Sequence, residues 1–547
     1  MIGTVATQIE GKMKPFIYDV TLRDGNQALK KPWNPDEKTI IFGFLMRLGV
    51  QGAEVGYPGA SQMDFNCTVA LAKMASRGMV IGALARACEA DIKAAAKALQ
   101  YVAEGAISRL HTFIGMSLFH MENVLKTSPE QVCQMAVDAV KLAREEMGEC
   151  GEIQFSPEHF GDCEDNLDWV IESLLAVVEA GATIINLPNT VERTRPSVFA
   201  TMVKLVVDAM PEHVTVAVHC HNDLGMATAT TVESYFVGAR QLEVTLNGLG
   251  ERAGNTNLYE AVVALHCAGI DVGLNLEAFY EIALDVANMS GIPIPMKAPL
   301  IGQEVLKHRS GIHQDGAIKT DGGEKGAYRP INPMLIGRAG DEECEFTSQS
   351  GVGAVAKIIR ETGRTITNGE ARLLQPALKA VSEDRGVLTP KQLAAVFDAF
   401  LKLRAKKEVT LKDVLEIAKD GVGIKAEKVW ELVSARVDSD SERDSTAIVC
   451  LRKDRDEFTE TAFGNGPLDA AFNAIRKIID NCIKVEDYRV EGVTPGSEAQ
   501  GKVYIILSLV GNKCEGTGTG TDVVQASIKA YINALNRLLA GESNGVK

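Results

Sequence analysis

A chain of 547 residues with 46% hydrophobic and 24% charged side chains has the composition of a globular protein, and its length suits about three domains. A net charge of -15 and a pI near 5.3 oppose non-specific binding to nucleic acid or an anionic membrane, so small molecules are the expected partners. The 11 cysteines are scattered from Cys67 to Cys514 without a Cys-x-x-Cys pair, which excludes zinc ribbons and secreted disulfide scaffolds and fits a reducing cytoplasm. Any acidic substrate then needs a local positive charge, from an arginine or a metal ion, against an unfavourable average field.

Residues 1–15 lack the basic and apolar segments of a secretory signal and read as a short leader. No run of about 18 apolar residues suggests a membrane span. From Phe16 to about Arg252, eight short apolar runs alternate with longer amphipathic stretches: FIYDV, GAEVG, MVIGALAR, RLHTFIG, EIQFSPE, TIINLPN, TVAVHCH and LEVTLNG. Strand and helix alternating eight times predict an α/β fold whose catalytic domain, residues 16–319, is a (β/α)₈ TIM barrel. An open doubly wound sheet is the competing arrangement, but the segment after the first run, YDVTLRDGNQALKK, has no Gly-x-Gly-x-x-Gly phosphate loop.

After HRSGIHQDGAIK, a stretch rich in glycine, proline and charge reads as a crossing segment. Apolar residues at three- and four-residue spacing then predict a small helical region from Gly351 to about Ala435, so that residues 320–440 form linker and helical subdomains. In the last part, residues 441–547, GNGPLDAAFNAIRKII and GTGTDVVQASIKAYINAL echo each other as a glycine turn, an aspartate and an alanine-rich helix, each after strand-like sequence. A duplicated α+β module follows, with its two helices expected on one face of a sheet. Little chemistry resides there, which points to ligand sensing or oligomerisation.

In a parallel barrel the active site is assembled at the C-terminal ends of the strands. Here those ends are LRDG, SPEHFGD, LPNTVE, HCHND and NGLGERAGN, each polar where the apolar run stops. Residues two apart on a strand share a face, so His219 and His221 point the same way and can chelate. With Asp24 and Asn255 they offer two nitrogens and two oxygens, a set suited to Mg²⁺, Mn²⁺ or Zn²⁺ with positions left for substrate or water. Arg23, beside Asp24, can supply fixed charge to a carboxylate or a developing alkoxide. Taken singly, Asp24 could cap a helix, Asn255 could hold a turn after Gly254, and Glu251 with Arg252 could be a surface ion pair.

TLRDGNQ, LPNTVE, HCHNDLG, NGLGERAGN and SGIHQDG, in this order, resemble the 2-isopropylmalate synthase family, one of a group of metal-dependent barrels that includes homocitrate synthase, citramalate synthase and hydroxymethylglutaryl-CoA lyase. The similarity runs from Phe16 to Leu539 and takes in the tail, which resembles the family's regulatory, leucine-binding domain. Many members have Glu where this chain has Asn26, a departure that removes no metal ligand. The resemblance implies that Asp24, His219, His221 and Asn255 bind the divalent metal, and that Arg23, His111, Glu158 and Thr190 contact the oxoacid or position water. It also implies that His313 reaches the active site from the partner chain of a homodimer and takes part in proton transfer, with Glu158 a further candidate.

The implied reaction is condensation of acetyl-CoA with 2-oxoisovalerate and hydrolysis of the thioester, giving 2-isopropylmalate and CoA at the first committed step of leucine biosynthesis, with leucine as inhibitor. Pyruvate and 2-oxoglutarate, the substrates of citramalate and homocitrate synthases, stay open as alternatives, since a missing methylene changes discrimination by only about 1–3 kcal/mol. Two readings from other classes stand beside it. A metal-dependent hydrolase usually carries its His-x-His on the first strand, and a non-catalytic amino-acid sensor would have lost its strand-end ligands.

Overall fold

The computed structural model describes residues 14–539, apart from 321–322, 324–325, 339–342, 406–408, 423–428, 441–442, 454–455, 480–482, 493–500, 510–511 and 521. The leader expected over residues 1–15 lies outside the described residues except for 14–15. The chain divides into two compact units, one up to residue 345 and one from residue 346.

The first unit is built on eight strands: β1 Phe16–Asp19, β2 Gly52–Gly56, β3 Val80–Arg86, β4 Ile107–Gly115, β5 Glu152–Glu158, β6 Ile184–Asn189, β7 Thr215–Cys220 and β8 Gln241–Val244. They coincide with the eight apolar runs and pair in sequence order, and β1 also pairs in parallel with β8, so the sheet closes into a barrel. Both faces of each strand are covered, and the apolar residues that mark each run, such as Ile153 and Phe155 of β5 or Val216 and Val218 of β7, pack in the core shared with the helices. Helices separate the strands. The first, α1 at Pro35–Leu48, shows how sharply sequence sets them: Asn34 and Glu37 form a capping box, Pro35 opens the first turn, and Gly49 ends it at φ 78°. Ile41, Phe42, Leu45 and Leu48 form the stripe it buries against the sheet.

The second unit begins with four helices, α2 Val352–Glu361, α3 Asn368–Arg385, α4 Pro390–Arg404 and α5 Leu411–Val422, at the places their apolar spacing predicts. The helical region expected to run to about Ala435 stops earlier, because Glu431–Asp440 is a strand, β9. A bulge between Leu432 and Ser434 shifts its register, so its core-facing Leu432 and Ala435 fall three apart and imitate a helical period.

The tail is a duplication, as its echo predicts, but each copy has three strands. The first is β9, β10 Arg443–Lys453 and β11 Asp456–Gly464 with α6 Pro467–Ile479; the second is β12 Lys484–Gly492, β13 Gly501–Leu509 and β14 Asn512–Gly520 with α7 Val523–Leu539. The glycine turn expected in GTGTD therefore belongs largely to strand β14. A Cβ at Gly516 or Gly518 would collide with the backbone of α7, so glycine there serves close helix–sheet packing. The two helices do not share one sheet. Each copy has its own antiparallel sheet, and the helices meet through Phe472 and Tyr531, whose rings are 4.8 Å apart. Asn536 of α7 bonds both the N–H and the C=O of Trp430, tying the second copy's helix to the start of the first.

Candidate active site

Alternation along the barrel strands sends one set of side chains inward, and on β4 to β8 that set is largely polar. From β4 come Arg109, His111 and Phe113; from β5 Gln154, Ser156 and Glu158; from β6 Asn186 and Pro188; from β7 His219; and from β8 Gln241 and Glu243. Towards the C-terminal end they open into a cavity of about 110 Å³. Arg23, Asp24, His111, Glu158, Thr190, His219 and His221 line it, together with Leu84, Phe113 and Pro188. Arg23 and Asp24 enter from a π-helical turn, Thr21–Gly25, that follows β1, so Asp24 sits inside the turn rather than capping a helix.

Three ligating atoms converge. His219 Nε2 is 3.3 Å from His221 Nε2 and 3.4 Å from Asp24 Oδ2, and His221 Nε2 is 4.0 Å from the same oxygen. A metal with bonds near 2.1 Å spaces tetrahedral ligand atoms by roughly 3.4 Å, so this triangle has the size a divalent cation requires. Two further oxygens support that fit: Asp24 Oδ1 and Asn255 Oδ1 are buried without a hydrogen-bond partner. Buried polar groups are rarely left so, and an ion is one of the few partners that would satisfy an oxygen here. Asn255 lies beside His221 through an antiparallel backbone bridge, although it is not among the residues lining the cavity.

The field at this point is set by burial and charge together. Burial opposes a charge on Asp24, but Arg23, at 3.0 Å, and the two histidines outweigh it and hold the carboxyl well below the usual range. Burial likewise opposes an imidazolium at His219, yet Asp24 and Glu243 lift it to about 9. Burial, then the neighbouring His219, pushes His221 down to about 3, so that ring is neutral and ready to ligate. Without metal, His219 carries a proton at neutral pH that a cation must displace.

One chain of hydrogen bonds fixes which nitrogen of His219 faces the cavity. Arg109, held by Glu152 at 2.7 and 2.9 Å, can only donate, and its NH1 reaches Gln241 Oε1 at 2.6 Å and Gln154 Oε1 at 3.2 Å. Both glutamines must therefore present their NH₂ groups to Glu243 Oε1, at 2.7 Å and 3.3 Å. The other oxygen of Glu243 accepts from His219 Nδ1 at 3.0 Å, which leaves Nε2 pointing at Asp24 and His221. This is the carboxylate–histidine–metal arrangement that orients a ligand ring and raises its basicity.

Glu54 does the same for the substrate side. Its carboxylate bonds Arg23 Nε through one oxygen and His111 Nδ1, at 2.6 Å, through the other. Burial opposes its charge, but Arg23 and His111 bring it down to about 2. His111 Nε2 is 2.7 Å from Ser156 Oγ, which in turn accepts from Asn186. Both nitrogens of His111 are thus engaged in holding the wall. Thr190 accepts from the backbone N–H of His159 at 2.9 Å, and Arg252 pairs with Asp223 and donates to the Thr190 carbonyl, so the Glu251–Arg252 surface pair gives way to an anchor between two rim loops. Asn26 accepts from the Trp33 N–H at 2.7 Å, a loop closure remote from ligation.

Eight of the nine residues singled out from sequence lie at or beside this rim. His313 does not. It is exposed on the helix Gly311–Lys319, stacked on Tyr328 with ring centroids 4.0 Å apart, and is absent from the lining of the cavity. Sequence reading missed Glu54, Glu243, Gln154, Ser156 and Asn186. A signal was present for two of them, since GAEVG and LEVTL each place a glutamate inside an otherwise apolar strand, where an unpaired charge would be costly.

Fold and site together define an enzyme barrel with a candidate metal-ligand cluster at its rim, and residues 14–286 match the HMGL-like family model. Residues 303–360 match the alpha-isopropylmalate synthase post-catalytic domain-like model, and residues 408–539 match the LeuA allosteric (dimerisation) domain. The chain is 50% identical over 375 residues to 2-isopropylmalate synthase 2 of Leptospira interrogans, covering 69% of this chain and 87% of that one. It is 34% identical over 529 residues to the 2-isopropylmalate synthase of Heliobacterium modesticaldum, covering 96% of each, and 35% identical over 531 residues to that of Pyrococcus furiosus, covering 95% and 98%. The chain belongs to the 2-isopropylmalate synthase family.

Proposed function

We propose that this chain condenses acetyl-CoA with 2-oxoisovalerate and hydrolyses the thioester, releasing 2-isopropylmalate and CoA in leucine biosynthesis, and that leucine inhibits it through the tail. The observation that carries this reading beyond family membership is the composition of the cavity. A ligand triangle and Arg23 stand together, and Leu84, Phe113 and Pro188 supply an apolar wall. That pairing suits an oxoacid with a branched aliphatic end.

Asp24, His219 and His221, with Asn255 beside them, would hold Mg²⁺, Mn²⁺ or Zn²⁺. Such an ion supplies Lewis-acid polarisation of a ketone oxygen. Arg23, pinned by Asp24 and Glu54, presents a guanidinium that does not need to reorganise when negative charge develops nearby. Glu158 places a carboxylate on the cavity wall, where it positions water or accepts a proton from the acetyl methyl group. His313 enters this scheme from a second copy of the chain, which makes the active unit a homodimer; its exposure on its own helix leaves it available to a neighbour. Arg23 is the one arginine or lysine among the lining residues, and two carboxylates already hold it, which disfavours 2-oxoglutarate with its second carboxylate.

The test is CoA release from acetyl-CoA across 2-oxoisovalerate, pyruvate and 2-oxoglutarate, each with and without leucine. Highest kcat/KM with 2-oxoisovalerate, and inhibition by leucine, are the expected results. Preference for pyruvate would reassign the chain to citramalate synthesis, and oxoacid-independent hydrolysis would reject the synthase reading.

A further inference from the structure

A second group of ligating side chains stands at the same rim, outside the Asp24–His219–His221 triangle. His120, Glu158 and His159 each offer one atom, and the three lie within 4.8 Å of one another. The fold brings them together from two strand ends that are neighbours, since Gly115 of β4 pairs with Glu158 of β5. A turn capped by Ser117 folds the His120 ring back over Gly115, and any side chain at Gly115 would occupy the place of that ring. On the other strand His159 adopts left-handed backbone at φ 62°, and the two imidazoles end with centroids 4.8 Å apart.

The detail of His159 is the telling one. Its Nδ1 is 3.1 Å from Asp162 Oδ2, a contact that directs the proton to Nδ1 and leaves Nε2 free to ligate. Glu243 treats His219 in the same way at the barrel centre. Burial, against the pull of Glu158, holds the His120 imidazole below its ordinary pKa, which favours the neutral, ligating ring.

We propose that His120, Glu158 and His159 form a second divalent-cation site at the mouth of the cavity, a two-histidine, one-carboxylate set for a borderline ion of the Zn²⁺ class. The set leaves a coordination position open to water or an incoming carboxylate. Ligand atoms on such an ion lie roughly 3.4 Å apart, so from a spread of at most 4.8 Å the trio closes by no more than about 1.4 Å on binding. Occupancy takes up the carboxylate of Glu158, which also lines the cavity, so metal in excess of the first equivalent lowers turnover. The binding site itself does not depend on which reaction the cavity performs.

Equilibrium dialysis of the full-length, metal-stripped protein against Co²⁺, with elemental analysis and visible absorption, counts the sites. Wild type is expected to bind two equivalents per chain. His159→Asn, which retains a residue tolerant of left-handed backbone, and His120→Phe, which retains a ring over Gly115, should each lose one equivalent. His221→Ala should lose the other and keep the one at the mouth. A single equivalent in wild type, or a second equivalent that survives both His159→Asn and His120→Phe, overturns the proposal.

Discussion

Replacing Glu243 by glutamine changes one atom and should disable the central metal site. Glu243 Oε1 accepts from two NH₂ groups, those of Gln154 and Gln241, whose orientation Arg109 dictates. The new amide must keep its oxygen there, so its NH₂ faces His219 Nδ1, which at present donates. The ring then accepts at Nδ1 and carries its proton on Nε2, the atom that would ligate the proposed metal. Loss of an outer-shell partner costs roughly 10- to 100-fold in metal affinity. A misdirected hydrogen bond adds about 1 kcal/mol. Together these give on the order of a 100-fold weaker site, or about 3 kcal/mol. Competition between stripped protein and a chelating dye measures it, with circular dichroism to show that the barrel remains folded. Affinity within threefold of wild type would show that the Arg109 chain does not control His219.

Four further outcomes follow from the same geometry. His219→Ala or His221→Ala should abolish oxoacid-dependent CoA release and weaken metal retention while the chain stays folded; wild-type turnover after stringent metal removal would refute the ligand assignment. Glu54→Ala leaves Arg23 and His111 without their buried partner, and urea denaturation should show a loss of about 3–5 kcal/mol from the barrel. In metal-free protein the His219 pKa is raised from 6.5 to about 9, so its stabilisation is complete below pH 6.5 and is lost as pH rises through 9. At about 1.36 kcal/mol per pH unit that is roughly 3 kcal/mol, and the thermal midpoint of stripped protein should fall across this window. Metal affinity should rise over the same range, by about tenfold per pH unit, and a flat profile would contradict the displaced proton. Removal of the tail after Val422 should abolish leucine inhibition before it abolishes CoA release, and a truncated enzyme that stays leucine-sensitive would place the effector elsewhere.

The barrel was legible because closure demands eight strands buried on both faces, and each of them appears as a short apolar run. The site was legible where the barrel's geometry reports it, at polar residues just past those runs, and His219 with His221 gained meaning from Asp24, almost two hundred residues away. Residues deeper in the barrel were not, because Gln154 and Glu243 sit inside strands and their value lies in partners on other strands. In the tail, a bulge in β9 and the glycines of β14 each broke the period that marks a strand. The position of His313 is a different case: its helix, Gly311–Lys319, stands away from the cavity of its own chain, and nothing in the local sequence SGIHQDG reports that.

The most direct test is to strip the protein of metal, supply acetyl-CoA and 2-oxoisovalerate, and follow both CoA and 2-isopropylmalate as a divalent ion is restored. The expected result is no product before restoration, then CoA and 2-isopropylmalate in equal amounts. CoA without 2-isopropylmalate, or equal turnover with and without metal, would contradict the assignment of this cavity to a metal-dependent condensation.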